Sequence, residues 1–351
     1  MCTFRQRAKM FEKIEVESKL IPAGKSKAQR IKSEIRIDPL TGRTSRITAS
    51  RGNDTPINFD DPPYREHVRN SEKTCPFCYE RLEKTTPTFP KEITPEGRFV
   101  YNNSILFPNL NPYGRYSAVA TFSPTHFIEI GSFDPDMYVD TFTNSISYLN
   151  AVFTHDEEVT ASAVTQNYLP SSGGTLIHPH LQINAFVNPT NYLKELEVSS
   201  RNYFINESSS YWDRLIEEET ERGERLISIR DGLVWLTPFA PRGFLEVWAV
   251  SQDLADIRDM QASLLRSLAE GIIAVQRYYK DKGKNSFNLA AYSIPKASLS
   301  YRLLIRMMAR TNYVPWERND RSYFEVMLGE AATDEFPERI AQDVKKFFQE
   351  G

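Results

Sequence analysis

The stretch Ser172 to Phe186, "SGGTLIHPHLQINAF", sets two histidines either side of a proline, behind a pair of glycines and ahead of an apolar run that holds one glutamine. The chain has five histidines in all, so two at one point require a reason. In a strand, residues two apart share a face. His178, His180 and Gln182 therefore project together, while Leu181 and Ile183 turn the other way, toward a core. Upstream, Ser171-Ser172-Gly173-Gly174-Thr175 offers consecutive backbone N–H groups and hydroxyls to an anion, or else forms a plain flexible turn. Its place just ahead of the histidines favours the anion.

A second motif stands about a hundred residues earlier. Cys75-Pro-Phe-Cys78 has the spacing that a tetrahedral zinc ion accepts; a redox pair or two buried thiols would read the same in isolation. His126 ends a strand-like segment in "FSPTH", and His178 begins another. Cys75, Cys78, His126 and His178 would complete a closed Cys2His2 zinc site. His180 would then stand beside a fixed ion on a rigid strand, as a nucleophile requires. A neutral imidazole that displaces a leaving phosphate forms a phosphoramidate, and Gln182 can donate to a non-bridging oxygen as charge develops there. His67 and His155 sit among polar neighbours and read as surface residues.

The bulk numbers set limits. At 351 residues the chain suits two domains. The net charge of -3, with a pI near 6.1, gives no basic excess to neutralise a nucleic-acid backbone. Three cysteines, Cys2, Cys75 and Cys78, do not form a disulfide framework and suit a reducing, cytoplasmic setting. No apolar run is long enough to span a membrane, so no membrane partner is expected. The first twenty residues mix basic side chains with glutamates and lack an apolar stretch; they read as a short amphipathic helix or loose arm rather than a targeting signal.

Periodicity places the elements. "SEIRIDPLTGRTSRI" suggests a hairpin turning at "DPLTG". "GRFVYNNSILFPN", "YSAVATFSPTHF", "VTASAVTQNYL" and "LIHPHLQINAFV" read as strands, and "DPDMYVDTFTNSISYLNAVF" as a helix. Beyond Asn188 the order recurs: a charged helix in "YWDRLIEEETERGERLIS", strands in "GLVWLTPFAP" and "GFLEVWAVS", a long helix over 254–281, and a strand in "SYRLLIRMMAR". The expected fold is α+β, two repeats each with helices packed on an antiparallel sheet. The divisions fall at 1–32 for the arm, 33–190 for the first repeat and 191–351 for the second, which contains neither histidine nor cysteine.

These motifs resemble the galactose-1-phosphate uridylyltransferase family of the histidine-triad superfamily, together with its ADP-glucose phosphorylase-like relatives. "RIDPLTGRTSRITASR", "CPFC", "FSPTH" and "HPHLQ" follow in that family's order, and the likeness runs from about Arg36 to the C-terminus. The resemblance implies zinc on Cys75, Cys78, His126 and His178, nucleotidylation of His180, and Gln182 as its phosphate partner. It implies phosphate contacts from Arg51, Asn167, Gly173, Gly174 and Thr175, and a nucleoside contact from Asn109. In "YFEVMLGEAATDEFPERIAQDV" it matches Glu325, and nearby Arg321, to sugar contacts, within a homodimer. Three departures from the pattern stand out: Leu181 where the family has glycine, Gly174-Thr175 where it has Cys or Ala then Ser, and Leu110 where it has an acidic residue. They lie around base, ribose and phosphate, so the resemblance does not fix uridine or hexose specificity. The implied activity is exchange of a nucleoside monophosphate between a nucleotide-sugar and a sugar 1-phosphate, as in galactose metabolism. Inorganic phosphate as acceptor, or a zinc-stabilised nucleotide-binding protein without turnover, are the alternatives.

Overall fold

The structure is a computed structural model that describes residues 10–48, 61–313 and 319–349. It is α+β and contains two sheets. The first has the order β1-β2-β3-β14, with β1 Glu12–Leu20, β2 Gln29–Ile37, β3 Thr44–Ile47 and β14 Ala331–Thr333. The expected hairpin turns at Asp38, whose Oδ1 accepts from the N–H groups of Leu40 and Thr41 and from the Thr41 hydroxyl. Gly42 closes the turn at φ +72°, a conformation that needs no Cβ. The N-terminal segment differs from its expected helix. Residues 12–20 form a strand, because Ile14 and Val16 alternate with charges and find in β2 a full-length antiparallel partner.

The second sheet has ten strands. They are β4 Phe99–Tyr101, β5 Ser104–Pro108, β6 Tyr116–Thr121, β7 Ala161–Tyr168, β8 His180–Phe186, β9 Leu226–Arg230, β10 Leu233–Leu236, β11 Phe244–Ser251, β12 Phe287–Ser293 and β13 Leu304–Ala309. Their order, β4-β5-β6-β8-β7-β12-β13-β11-β10-β9, reads as one motif followed by its own reversal. The two repeats thus share one sheet, joined where β7 pairs antiparallel with β12. Thr190, at the expected division, caps helix α4 by accepting from the Leu193 N–H.

Eight helices complete the described chain: α1 Pro62–Glu72, α2 Tyr79–Thr85, α3 Pro135–His155, α4 Asn191–Glu207, α5 Tyr211–Arg222, α6 Ala262–Asp281, α7 Tyr323–Val326 and α8 Pro337–Gln349. The long helices of the repeats, α3 and α6, lie on the same face of the ten-stranded sheet. A continuous core there joins Phe142 and Leu149 to Leu181 and Ile183, and Leu268 and Ile272 to Ile305 and Met307. On the other face α4 and α5 cover the second repeat through Leu196, Trp212 and Leu215, and α2 covers the outer edge of the first through Leu82 on Phe107 and Val119. Between these two smaller clusters lies the face of β8 that carries His180 and Gln182.

Three local expectations shift. The charged helix α5 stops at Arg222, where Gly223 caps it at φ +64°, and the following residues become β9. "GRFVYNNSILFPN" is a hairpin, β4 and β5, that reverses at Asn102 with φ 48°. The long helix begins at Ala262 rather than 254, since residues 257–259 make a 3-10 turn. Strand β12, whose "FNLAAYS" has weak contrast, and α4 complete the second repeat beyond what periodicity showed.

Candidate active site

Cys75 lies in the turn after α1 and Cys78 is the first residue before α2. His126 follows β6 and His178 precedes β8. All four are buried, and their donor atoms lie within 4.8 Å of one another. The ring orientations follow from the outer partners. His178 Nε2 lies 3.0 Å from the Ser123 carbonyl, which can only accept, so that nitrogen carries the proton and Nδ1 faces Cys78 Sγ with its lone pair. Ser71 spends its hydroxyl proton on the Val68 carbonyl. Its oxygen therefore accepts from His126 Nε2 at 2.8 Å, which leaves His126 Nδ1 unprotonated and 3.5 Å from Cys78 Sγ.

Two imidazole lone pairs and two thiols converge on one point, with each ring fixed from behind. That is the outer-shell arrangement of a histidine-ligated metal. Burial keeps both imidazoles neutral, His178 down at about 4 and His126 also below its ordinary value. Burial and the neighbouring Cys75 push the Cys78 thiol up to about 11. Deprotonating two thiols in such a place requires a cation, and the donor set fits zinc.

His180 opens β8, opposite Thr121 of β6, and Gln182 pairs with Val119 on one side and Thr165 on the other. Leu181 and Ile183 are in the core, so the expected division of faces holds. The Nδ1–H of His180 donates to the carbonyl oxygen of His178 at 2.8 Å. Nε2 therefore carries the lone pair, and burial holds the ring neutral by lowering its pKa. The Phe77 ring stands edge-on to His180 with centroids 5.3 Å apart, and this packing fixes the imidazole plane. The residue that places the ring thus comes from between the two cysteines, a role that no sequence signal marked.

Asn167 and Thr165 share the face of Gln182, because the intervening Gln166 turns into the core and accepts from the Tyr138 hydroxyl. Residues 170–172 form a 3-10 turn, Gly173 leaves it at φ +103°, and Gly174 packs on Asn167 so closely that a Cβ there would lie 3.4 Å from the asparagine Cβ. Thr175 is exposed and lines a cleft of about 190 Å³ together with Cys75 and His126. Asn109 follows β5 and donates from Nδ2 to the Ser117 hydroxyl oxygen, with Leu110 exposed beside it. Arg321 and Glu325 meet in a small cleft with Arg242, Met308, Arg310 and Asp320. One oxygen of Glu325 accepts from both the N–H and the hydroxyl of Ser322, capping α7. Arg51 lies outside the described residues. His67 and His155 are exposed, as expected.

No family model matches the chain. Its fold matches that of an ADP-glucose phosphorylase from Arabidopsis thaliana with bound ADP-glucose, at a TM-score of 0.69 and 17% identity, over 90% of this chain and 99% of that one. A uridylyltransferase matches at a TM-score of 0.64 and 17% identity, over 90% and 98%. The chain therefore has the fold that this phosphorylase and this uridylyltransferase share. An uncharacterized protein of Archaeoglobus fulgidus is 30% identical over 337 residues, 96% of this chain and 98% of its own, and the chain belongs to one family with it.

Proposed function

We propose that the protein is a nucleotidyl-transferring enzyme that moves a nucleoside monophosphate from a nucleotide-sugar to a phosphate-bearing acceptor through a covalent nucleotidyl-His180. The observation that carries this reading is the Nδ1–H of His180 on the His178 carbonyl, which leaves a neutral Nε2 lone pair on the face of Gln182. Nε2 attacks the α-phosphorus, the bond from phosphorus to the bridging oxygen breaks, and its electron pair leaves with the sugar 1-phosphate. The imidazole becomes cationic, and the His178 carbonyl, which holds the remaining N–H, stabilises that charge. Gln182 donates its amide to a non-bridging oxygen. An oxygen of the acceptor phosphate then attacks phosphorus and displaces Nε2.

Zinc on Cys75, Cys78, His126 and His178 would supply folding energy and clamp the segment that carries His180. The Ser171–Thr175 turn and Asn167 would hold the phosphates, Asn109 the nucleoside and Arg51 a phosphate oxygen, as the family resemblance implies. A sugar 1-phosphate acceptor would place its hydroxyls on Glu325 and Arg321. Inorganic phosphate is the second reading. It is favoured because an oxygen of Glu325 is already occupied by the Ser322 cap.

Incubation with a panel of nucleotide-sugars, an acid-free quench and intact-mass measurement tests the reading. The expected result is one nucleotide per chain on His180, discharged by sugar 1-phosphate or by inorganic phosphate. A wild-type protein that gains no mass with any donor would leave a nucleotide-binding protein without turnover. Loss of sugar 1-phosphate discharge in Glu325→Ala separates the sugar acceptor from the phosphate acceptor.

A further inference from the structure

A line of polar side chains runs from the cleft of Arg321 and Glu325 to the turn beside His180. Asp320 accepts from Nε of Arg310, and from Nη2 at 2.9 Å. The other terminal nitrogen of Arg310 donates to Asn288 Oδ1 at 2.6 Å and to the Ser172 carbonyl at 3.2 Å. Asn288 Nδ2 donates to Asn167 Oδ1 at 2.6 Å and to the same Ser172 carbonyl at 3.0 Å. Arg310 and Asp320 are 16% and 9% exposed, so these contacts form largely out of water. Arg310 and Asn288 belong to the second repeat, Asn167 and Ser172 to the first.

Donor chemistry fixes the direction of every amide in this line. Arginine has five N–H donors and no acceptor, so only the carboxamide oxygen of Asn288 can face it. The NH2 of Asn288 then points at Asn167 and uses its hydrogens on Asn167 Oδ1 and Ser172. Asn167 Oδ1 is thereby occupied, and the NH2 of Asn167 is turned away from Asn288. The same two donors pin the Ser172 carbonyl, the residue ahead of Gly173 and its positive φ.

We infer that Arg310, Asn288 and Asp320 are positioning residues for the nucleotide phosphates: they hold Asn167 with its NH2 presented as a donor and fix the turn that leads into Gly174 and Thr175. The inference rests on the proposed function's reading of this face as a phosphate site. It adds that the second repeat, whose matching strand β13 opens on Leu304 where β8 opens on His180, serves the first by setting the polarity of its phosphate donors.

The experiment is equilibrium binding of AMP, UMP, CMP and GMP to the full-length zinc-loaded protein, with melting temperature measured on the same samples and adduct formation measured on parallel samples given nucleotide-sugars of the same four bases. Asn288→Asp keeps the size and the contact with Arg310 but turns the donor toward Asn167 into an acceptor. Asn167 must then present its oxygen to the phosphate. The expected result is about a tenfold to hundredfold loss of nucleotide affinity, the worth of one hydrogen bond to a charged group, at near wild-type melting temperature. Arg310→Lys keeps the charge opposite Asp320 but cannot serve Asn288 and Ser172 together, so an intermediate loss is expected; it is the deciding variant if Asn288→Asp fails to fold. Wild-type affinity in the folded variants overturns the inference, as does an affinity loss that only tracks lost fold. If the wild type binds a nucleotide yet forms no adduct with any nucleotide-sugar, the covalent reading fails and the relay is judged on binding alone. If the wild type binds none of the four, both fall.

Discussion

His180 is oriented by its own chain: the N–H on its Nδ1 meets the carbonyl oxygen of His178, two residues back, at 2.8 Å. His178 in turn presents Nδ1 to Cys78 and anchors Nε2 on Ser123. One dipeptide step therefore links the candidate metal cluster to the candidate nucleophile, and a displacement of His178 would be felt directly at the tautomer of His180.

Removing the nucleophile should leave the fold. In His180→Ala the four candidate ligands are untouched, so zinc content and melting temperature should match wild type while turnover falls by orders of magnitude. His180→Gly opens a cavity that free imidazole can enter, and a nucleoside phosphorimidazolide should then accumulate. Near-normal exchange in His180→Ala, read by isotope exchange, would remove His180 from the mechanism.

Gln182 should matter less than His180. Gln182→Ala removes one donor to a developing oxyanion, worth roughly 3 kcal/mol or about two decades in rate. The adduct should still form, slowly, on His180. Rapid-quench mass measurement checks both the rate and the site, and an unchanged rate would assign Gln182 to strand packing alone.

Removing a cysteine should do the reverse. Cys78→Ser takes away the thiol on which both histidine Nδ1 atoms converge. Zinc, measured by elemental analysis, should fall from about one per chain to a small fraction. The melting midpoint should drop by about 5 °C or more, since a metal that binds only the folded state contributes to its stability. Wild-type stability in a metal-free Cys78→Ser protein would show that the cluster carries no structural ion.

Arg36 grips both carboxylate oxygens of Glu338 at 2.8 and 3.0 Å, and Arg225 joins at 2.9 Å, so the four-stranded sheet is tied to α8 by charge. Burial alone would raise the pKa of Glu338, but hydrogen bonding to Arg36, and then to Arg225, outweighs it and brings the carboxyl down to about 2. A folded-state pKa below the unfolded value near 4.5 means stabilisation that is complete above that value and lost as pH falls through 4.5 toward 2. Glu338→Gln should therefore cost on the order of 2 kcal/mol at neutral pH and almost nothing near pH 2. Urea melts across that range check it; a constant difference between variant and wild type would show that the carboxylate charge is not the source.

Alternation and spacing determined a good part of the site in advance. Leu181 and Ile183 on one side and His180 and Gln182 on the other follow from the period of two in a strand, which covalent geometry imposes wherever the strand lies. A short Cys-Pro-Phe-Cys loop confines two thiols to one neighbourhood, and His126 and His178 were recognisable as strand-end partners. Apolar contrast likewise exposed α3 and the greater part of α6.

Tertiary structure decided what depends on a partner distant in the chain. Glu12–Leu20 is a strand because β2 lies alongside it, and a highly charged segment of that length has no local reason to choose. The junction of β7 with β12, which turns two repeats into one sheet, required a strand too weakly contrasted to stand out. Asn288 and Arg310 are ordinary polar residues in sequence. They acquire a function only where Ser172 and Asn167, more than a hundred residues earlier, supply acceptors in a buried place, because a hydrogen bond has direction and strength only when both partners are in position.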